Sequence, residues 1–166
     1  MIACEADDRL TIDVTIDGRP IRRDVSPRLL LHDFLRECGA TGVHAGCEHG
    51  VCGACTIQID GRVTRSCLVF AAQVDGCEIR TVASLGERDS LSPLQEAFRK
   101  RHALQCGFCT PGILVSSQAF LDAQPAPDER AVREMLSGHL CRCTGYTPIV
   151  EAVLDVASQR EGEGEG

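Results

Sequence analysis

Eight cysteines stand at spacings that could hold metal. The first four are Cys47, Cys52 and Cys55 in "CEHGVCGAC", followed by Cys67, a C-x4-C-x2-C-x11-C pattern. The C-x4-C-x2-C…C order is that of a plant-type [2Fe–2S] site. Four thiolates must converge on two irons, with backbone N–H groups turned towards the sulfides. Gly46, Gly50, Gly53 and Ala54 are small enough to let the backbone close in. Structural zinc prefers two separated C-x2–4-C knuckles, about two ligands each, and three thiols in one loop fit that poorly. His44 and His49 are expected to be loop residues, because the thiolate count is complete without them.

The second four are Cys106-x2-Cys109 and Cys141-x-Cys143. "QCGFCTPG" runs into a helix start at Thr110-Pro111, and "LCRCTGYTP" into another at Thr147-Pro148. Thiolates near helix N-termini are stabilised by the helix dipole. Two such termini in a helical bundle could meet around one centre. The spacing alone leaves zinc and iron–sulfur both open. Of the other cysteines, Cys38 and Cys77 read as buried small hydrophobes, and Cys4 has no assigned part.

The chain of 166 residues contains eleven cysteines in all. An odd count with no secretory signal in "MIACEADDRL" argues against a disulfide framework, and a reducing compartment would keep free thiols reduced. Hydrophobic residues make up 43% and charged residues 25%, an ordinary globular mixture. The net charge of −7 gives no basic footprint for nucleic acid. No apolar run reaches the roughly 18–20 residues of a membrane span. A cytoplasmic protein is expected.

The elements that must position these thiols follow from periodicity. "LTIDVTIDG" alternates Leu10, Ile12, Val14 and Ile16 with polar residues and ends on an Asp17-Gly18 hairpin signal, with "RPIRRDV" as the returning strand. Ser26-Pro27 predicts the start of a helix through "RLLLHDFLREC", with Leu31, Phe34, Leu35 and Cys38 on one face and Gly39 as terminator. Residues 40–53 lack periodicity and read as a functional loop. "ACTIQIDGRVTRSC" predicts two short strands around Asp60-Gly61 that end at Cys67, and "CEIRTV" predicts another. After about residue 84 the pattern turns helical. Ser92-Pro93 (with Gln95 in a capping box), Thr110-Pro111, Asp128 and Thr147-Pro148 each open a helix. The expectation is an α+β chain: a ferredoxin domain over 9–83, a helical domain over 84–158, and a disordered acidic tail over 159–166.

Both quartets in this order resemble the small iron–sulfur subunit of the molybdenum hydroxylases, the xanthine oxidase family. "GVHAGCEHGVCGACTI", "RSCL", "LQCGFCTPG" and "HLCRCTGY" carry the resemblance, which spans about residues 9 to 157. His44 stands where many relatives have Lys. The resemblance implies a β-grasp ferredoxin domain and a four-helix bundle domain, each with one [2Fe–2S] cluster. It implies Cys47, Cys52, Cys55 and Cys67 as ligands of one, and Cys106, Cys109, Cys141 and Cys143 as ligands of the other. Gln105 is similar to the glutamine that hydrogen-bonds the pterin, and Cys143 to the ligand nearest it. The partners implied are a large molybdopterin subunit (cytosine dinucleotide form) and a medium FAD subunit, paired as a dimer of heterotrimers. Electrons would run from molybdenum through both clusters to FAD. The chain lacks G-x-G-x-x-G and P-loop motifs, so its own part would be transfer alone. The rival readings are a freestanding diffusible ferredoxin and a zinc-stabilised module. Substrates of such relatives include N-heteroaromatics, aldehydes, purines, acyl-CoA thioesters and carbon monoxide. The "CEHGVCGAC" form leans towards heteroaromatic or aromatic acyl-CoA substrates.

Overall fold

The alternation of the first segment survives as strand β1 (Leu10–Ile16), with Ile12, Val14 and Ile16 buried and Leu10 exposed. The computed structural model describes residues 8–87 and 89–163; Cys4 and residues 164–166 lie outside them. Asp17 and Gly18 turn the chain at φ of 47° and 77°, the left-handed pair that a two-residue hairpin requires. Strand β2 (Arg19–Val25) returns antiparallel, with Leu10 opposite Val25. Asp60 and Gly61 make a similar turn between β3 (Thr56–Ile59) and β4 (Arg62–Arg65). Strand β5 (Glu78–Arg80) lies between the hairpins, parallel to β1 and antiparallel to β3. The sheet is therefore mixed, in the order β2-β1-β5-β3-β4. Helix α1 (Leu31–Glu37) buries Leu31, Phe34 and Leu35 against it, in one core with Ile57 and Ile79.

Two boundaries differ from the sequence expectation. Helix α1 starts at Leu31, because Leu30 is held extended by an isolated bridge to Phe70. Ser26-Pro27 forms only a turn, closed by the Leu29 N–H to the Ser26 carbonyl at 3.0 Å. Strand β4 stops at Arg65, so Cys67 arrives on a 3-10 turn over Ser66–Leu68.

The second half is helical: α2 (Pro93–Lys100), α3 (Thr110–Ala123), α4 (Glu129–Leu136) and α5 (Thr147–Glu163). Ser92 and Gln95 form the expected capping box, and Asp128 caps α4 by accepting from the Ala131 N–H at 2.8 Å. Leu94, Phe98, Ile113, Leu121, Val132, Ile149 and Val153 build a second core. Helices α2 and α4 pack on α5, while α3 touches α2, α4, β3 and β4. Helix α3 is thus a wall common to both cores. Helix α5 continues through residues 159–163, into the segment that composition assigned to a disordered tail. The architecture is α+β. Among the described residues no helix is long and apolar enough to cross a membrane.

Candidate metal centres

The loop before β3 wraps backbone donors around one thiol. The Cys52 N–H donates to the Cys47 sulfur at 3.3 Å. That bond, with those from the His49 and Val51 backbone, lowers the Cys47 thiol to about 6. Cys55 and Cys67 are buried beneath the same loop. The Ser66 N–H and hydroxyl both donate to the Cys55 carbonyl, at 3.2 and 2.7 Å, so the turn carrying Cys67 is tied to the residue it must meet. Burial, and then the Cys55 thiol, push Cys67 up to about 11.

The second set meets across the helical half. The Cys143 and Cys106 sulfurs lie 3.6 Å apart. Cys109, at the start of α3, is raised to about 12 by burial and then by the Cys141 thiol that it contacts. Burial also works against ionisation of Cys141, but the Thr144 hydroxyl and the Thr144 and Cys143 backbone outweigh it and lower its pKa. The Tyr146 hydroxyl accepts from the Cys141 N–H at 2.8 Å and donates to the His139 carbonyl at 3.0 Å. Gln105 is exposed, and its Nε2 donates to the Cys143 carbonyl at 3.1 Å. Cys106 and Cys143 are exposed as well, so this set has one open edge.

The donors fit two-metal centres. Thiols meet in pairs: Cys47 with Cys52, Cys55 with Cys67, Cys106 with Cys143, and Cys109 with Cys141. Two thiolates on one tetrahedral metal at about 2.3 Å stand roughly 3.8 Å apart, close to the 3.6 Å between Cys106 and Cys143. Among the described residues no three Cys, His, Asp or Glu side chains converge to hold a lone ion.

The remaining candidates stand apart from the thiols. His49 Nδ1 pairs with the Cys47 carbonyl, not the sulfur. His44 Nδ1 pairs with the Phe108 carbonyl at 2.7 Å, and its ring stacks on Phe108 at 4.9 Å. Cys38 and Cys77 are half-buried and pack against the first core.

Spacing gave no sign of how the two sets are joined. The Leu140 N–H donates to the Cys52 carbonyl at 3.0 Å, linking a thiol residue of the first set to the neighbour of Cys141. Beside this bond Gly53 lies against Gly112 and His139 so closely that no side chain fits at either glycine. His139 is buried and bonds Ser116 at 2.8 Å through Nε2. Burial, then the Arg65 charge, lowers its pKa to about 4 and keeps the ring neutral.

Two family models match the chain. Residues 14–81 match the 2Fe-2S iron-sulfur cluster binding domain, and residues 81–154 match the [2Fe-2S] binding domain. Two such domains in one chain define an electron-transfer iron–sulfur protein of the two-centre class. The nicotine 6-hydroxylase small subunit of Paenarthrobacter nicotinovorans is 57% identical over 92% of this chain and 92% of its own. Caffeine dehydrogenase subunit gamma of Pseudomonas sp. (strain CBB1) is 51% identical over 90% of this chain and 92% of its own. The crystal structure of quinoline 2-oxidoreductase from Pseudomonas putida 86 superposes with a TM-score of 0.88 at 49% identity, covering 95% of this chain and 99% of the matched one. The chain belongs to the small iron–sulfur subunits of the molybdenum hydroxylases, the xanthine oxidase family. The freestanding-ferredoxin alternative falls, because relatives matched along nearly their whole length are named as subunits.

Proposed function

We propose that this chain is the electron relay of a cytoplasmic molybdenum hydroxylase that oxidises an N-heteroaromatic substrate. Its partners in this reading are a large molybdopterin subunit and a medium FAD subunit, assembled as a dimer of heterotrimers. The observation that carries the relay is the pair of thiol sets, each made of two contacting pairs, joined by one backbone hydrogen bond. The substrate class rests on relatives named for nicotine, caffeine and quinoline.

A [2Fe–2S] cluster, when bound, supplies a one-electron site with no proton to manage. Cys47 and Cys52 would hold one iron and Cys55 and Cys67 the other in a β-grasp domain. Cys106 with Cys143, and Cys109 with Cys141, would do the same in a four-helix bundle. The backbone donors on Cys47 stabilise its thiolate, and buried Cys55, Cys67 and Cys109 keep water away. The open edge at Cys106 and Cys143, steadied by Gln105, suits the approach of the pterin. In this reading the helical-domain centre faces molybdenum and the ferredoxin-domain centre faces the flavin.

Metal analysis and co-expression with the neighbouring large and medium subunits test this. About four irons and about four acid-labile sulfides per chain are expected, with co-elution of all three subunits and turnover of N-heteroaromatics over aldehydes. Zinc in place of iron would overturn the relay. A chain that elutes alone would overturn the complex, and preference for another substrate class would overturn the heteroaromatic assignment.

A further inference from the structure

The Cys52–Leu140 hydrogen bond joins a thiol residue of one set to the segment carrying a thiol of the other, and the His44–Phe108 contact is a second link between the two halves of the chain. Leu140 lies in irregular chain after α4, which has no ladder of its own to hold it. Arg65, at the end of β4, spans the bond from outside. Its Nη2 donates to the Gly138 carbonyl at 2.6 Å, two residues before Leu140. Its Nη1 donates to the Thr56 hydroxyl, which in turn donates to the Gly53 carbonyl at 2.5 Å, one residue after Cys52. The guanidinium therefore grips the backbone on both sides of the same bond. It is half-buried, and none of the ion pairs among the described residues uses it. An arginine committed to a carbonyl and a hydroxyl, with no carboxylate partner, is placed for geometry. Its planar fork can serve two fixed acceptors at once; an ammonium cannot do so in the same way.

We propose that Arg65 is a positioning residue: it fixes the Cys52–Leu140 contact and so sets the electronic coupling between the two centres. The coupling half of this inference rests on the two-centre reading above. The clamp half concerns this chain's own backbone. His139, seated between Arg65 and Ser116, fills the space behind the segment, so the grip is transmitted through packed atoms. The guanidinium donates to Thr56 and Gly138 and not to a thiol, so its removal should leave every proposed ligand in place.

The test uses the complete complex carrying Arg65→Met or Arg65→Lys, reduced with dithionite and followed by EPR. Hydrogen exchange of the peptide containing Leu140 is read in parallel. In the wild type, full reduction of both centres should split signals that are unsplit at half reduction. Arg65→Met should keep the iron and sulfide content, both half-reduction signals and both midpoint potentials. Its splitting should broaden or shrink as the separation of the centres spreads. Exchange at Leu140 should quicken about tenfold or more, the usual scale for losing a charged hydrogen bond. Arg65→Lys should fall between the two in both readouts, and it decides the matter if the methionine variant does not load. Sharp splitting and unchanged exchange in the variants would overturn the proposal. So would a shifted potential with coupling intact, because Arg65 would then act as a charge and not as a clamp. Zinc in the wild type would overturn the two-centre reading and with it the coupling, while the exchange arm would still accept or reject the clamp.

Discussion

Replacing Gly112 by alanine should pry at the junction between the sheet and the helices. Gly112 stands in the first turn of α3. A Cβ there would overlap the Gly53 carbonyl oxygen and lie 3.2 Å from that carbonyl carbon and 3.3 Å from the Ala54 oxygen. All of these are backbone atoms. They cannot rotate away as a side chain would, and Gly53, at φ 77°, is itself closed in by His139 and the Gly138 carbonyl. Overpacking costs about 1–3 kcal/mol, and the rigid neighbours put this case at the upper end. Alanine returns up to about 1 kcal/mol of helix propensity. The net loss is about 2 kcal/mol, or a fall in Tm of about 4–8 °C at this chain length. Gly162→Ala in α5 is the matched control, because nothing lies within 4 Å of its added Cβ and only propensity acts. Calorimetry of the loaded complex, with visible absorbance to follow the clusters, measures both. If Gly112→Ala melts with the wild type, the close approach of α3 to the Gly53 backbone is not real and the reasoning fails.

Three further outcomes follow from the site. Cys106→Ser should alter one EPR signal and leave the other unchanged; loss of both from a folded chain would refute two independent centres. In an assembled complex carrying Cys52→Ser, substrate added without oxygen should still reduce the helical-domain centre while the flavin stays oxidised in rapid-mixing absorbance. Fast flavin reduction would mean that the proposed order is wrong. Arg101 makes a two-pronged contact with Asp155, at 2.6 and 2.7 Å, and holds its carboxyl below the usual value. Because the folded pKa is the lower one, the stabilisation is present above the unfolded value of about 4 and is lost as pH falls through the folded value. Asp155→Asn should flatten that acid limb in pH-dependent unfolding, and an unchanged limb would refute the linkage.

The cysteine loop was legible because it is local: Cys47, Cys52 and Cys55 lie within nine positions. Helix starts at Ser92 and Asp128 were legible for the same reason, since a cap reaches only three residues. The start of α1 was misplaced because a long-range event, the bridge of Leu30 to Phe70, overrode the local signal at Ser26-Pro27. The clamp had no local signal. Arg65 and Gly138 are 73 residues apart, and nothing in "VTRSC" distinguishes an arginine reaching for a distant carbonyl from one facing water. The last turn of α5 was misread because its glycine-rich composition weighed more than the helix already propagating into it.

The junction also imposes an order on biosynthesis. The first four thiols are complete once Cys67 has been made, but the segment packed over Cys52 and Gly53 contains Gly138, His139 and Leu140. The cover of the cysteine loop is thus made well after Cys67 itself. Until it arrives, the Gly53 side of the cysteine loop stays open to whatever delivers iron and sulfide. Val51 and Leu68, on the same loop and on the turn carrying Cys67, keep their side chains exposed. A loop made early is thus closed on its Gly53 side by a segment from the other half of the same polypeptide.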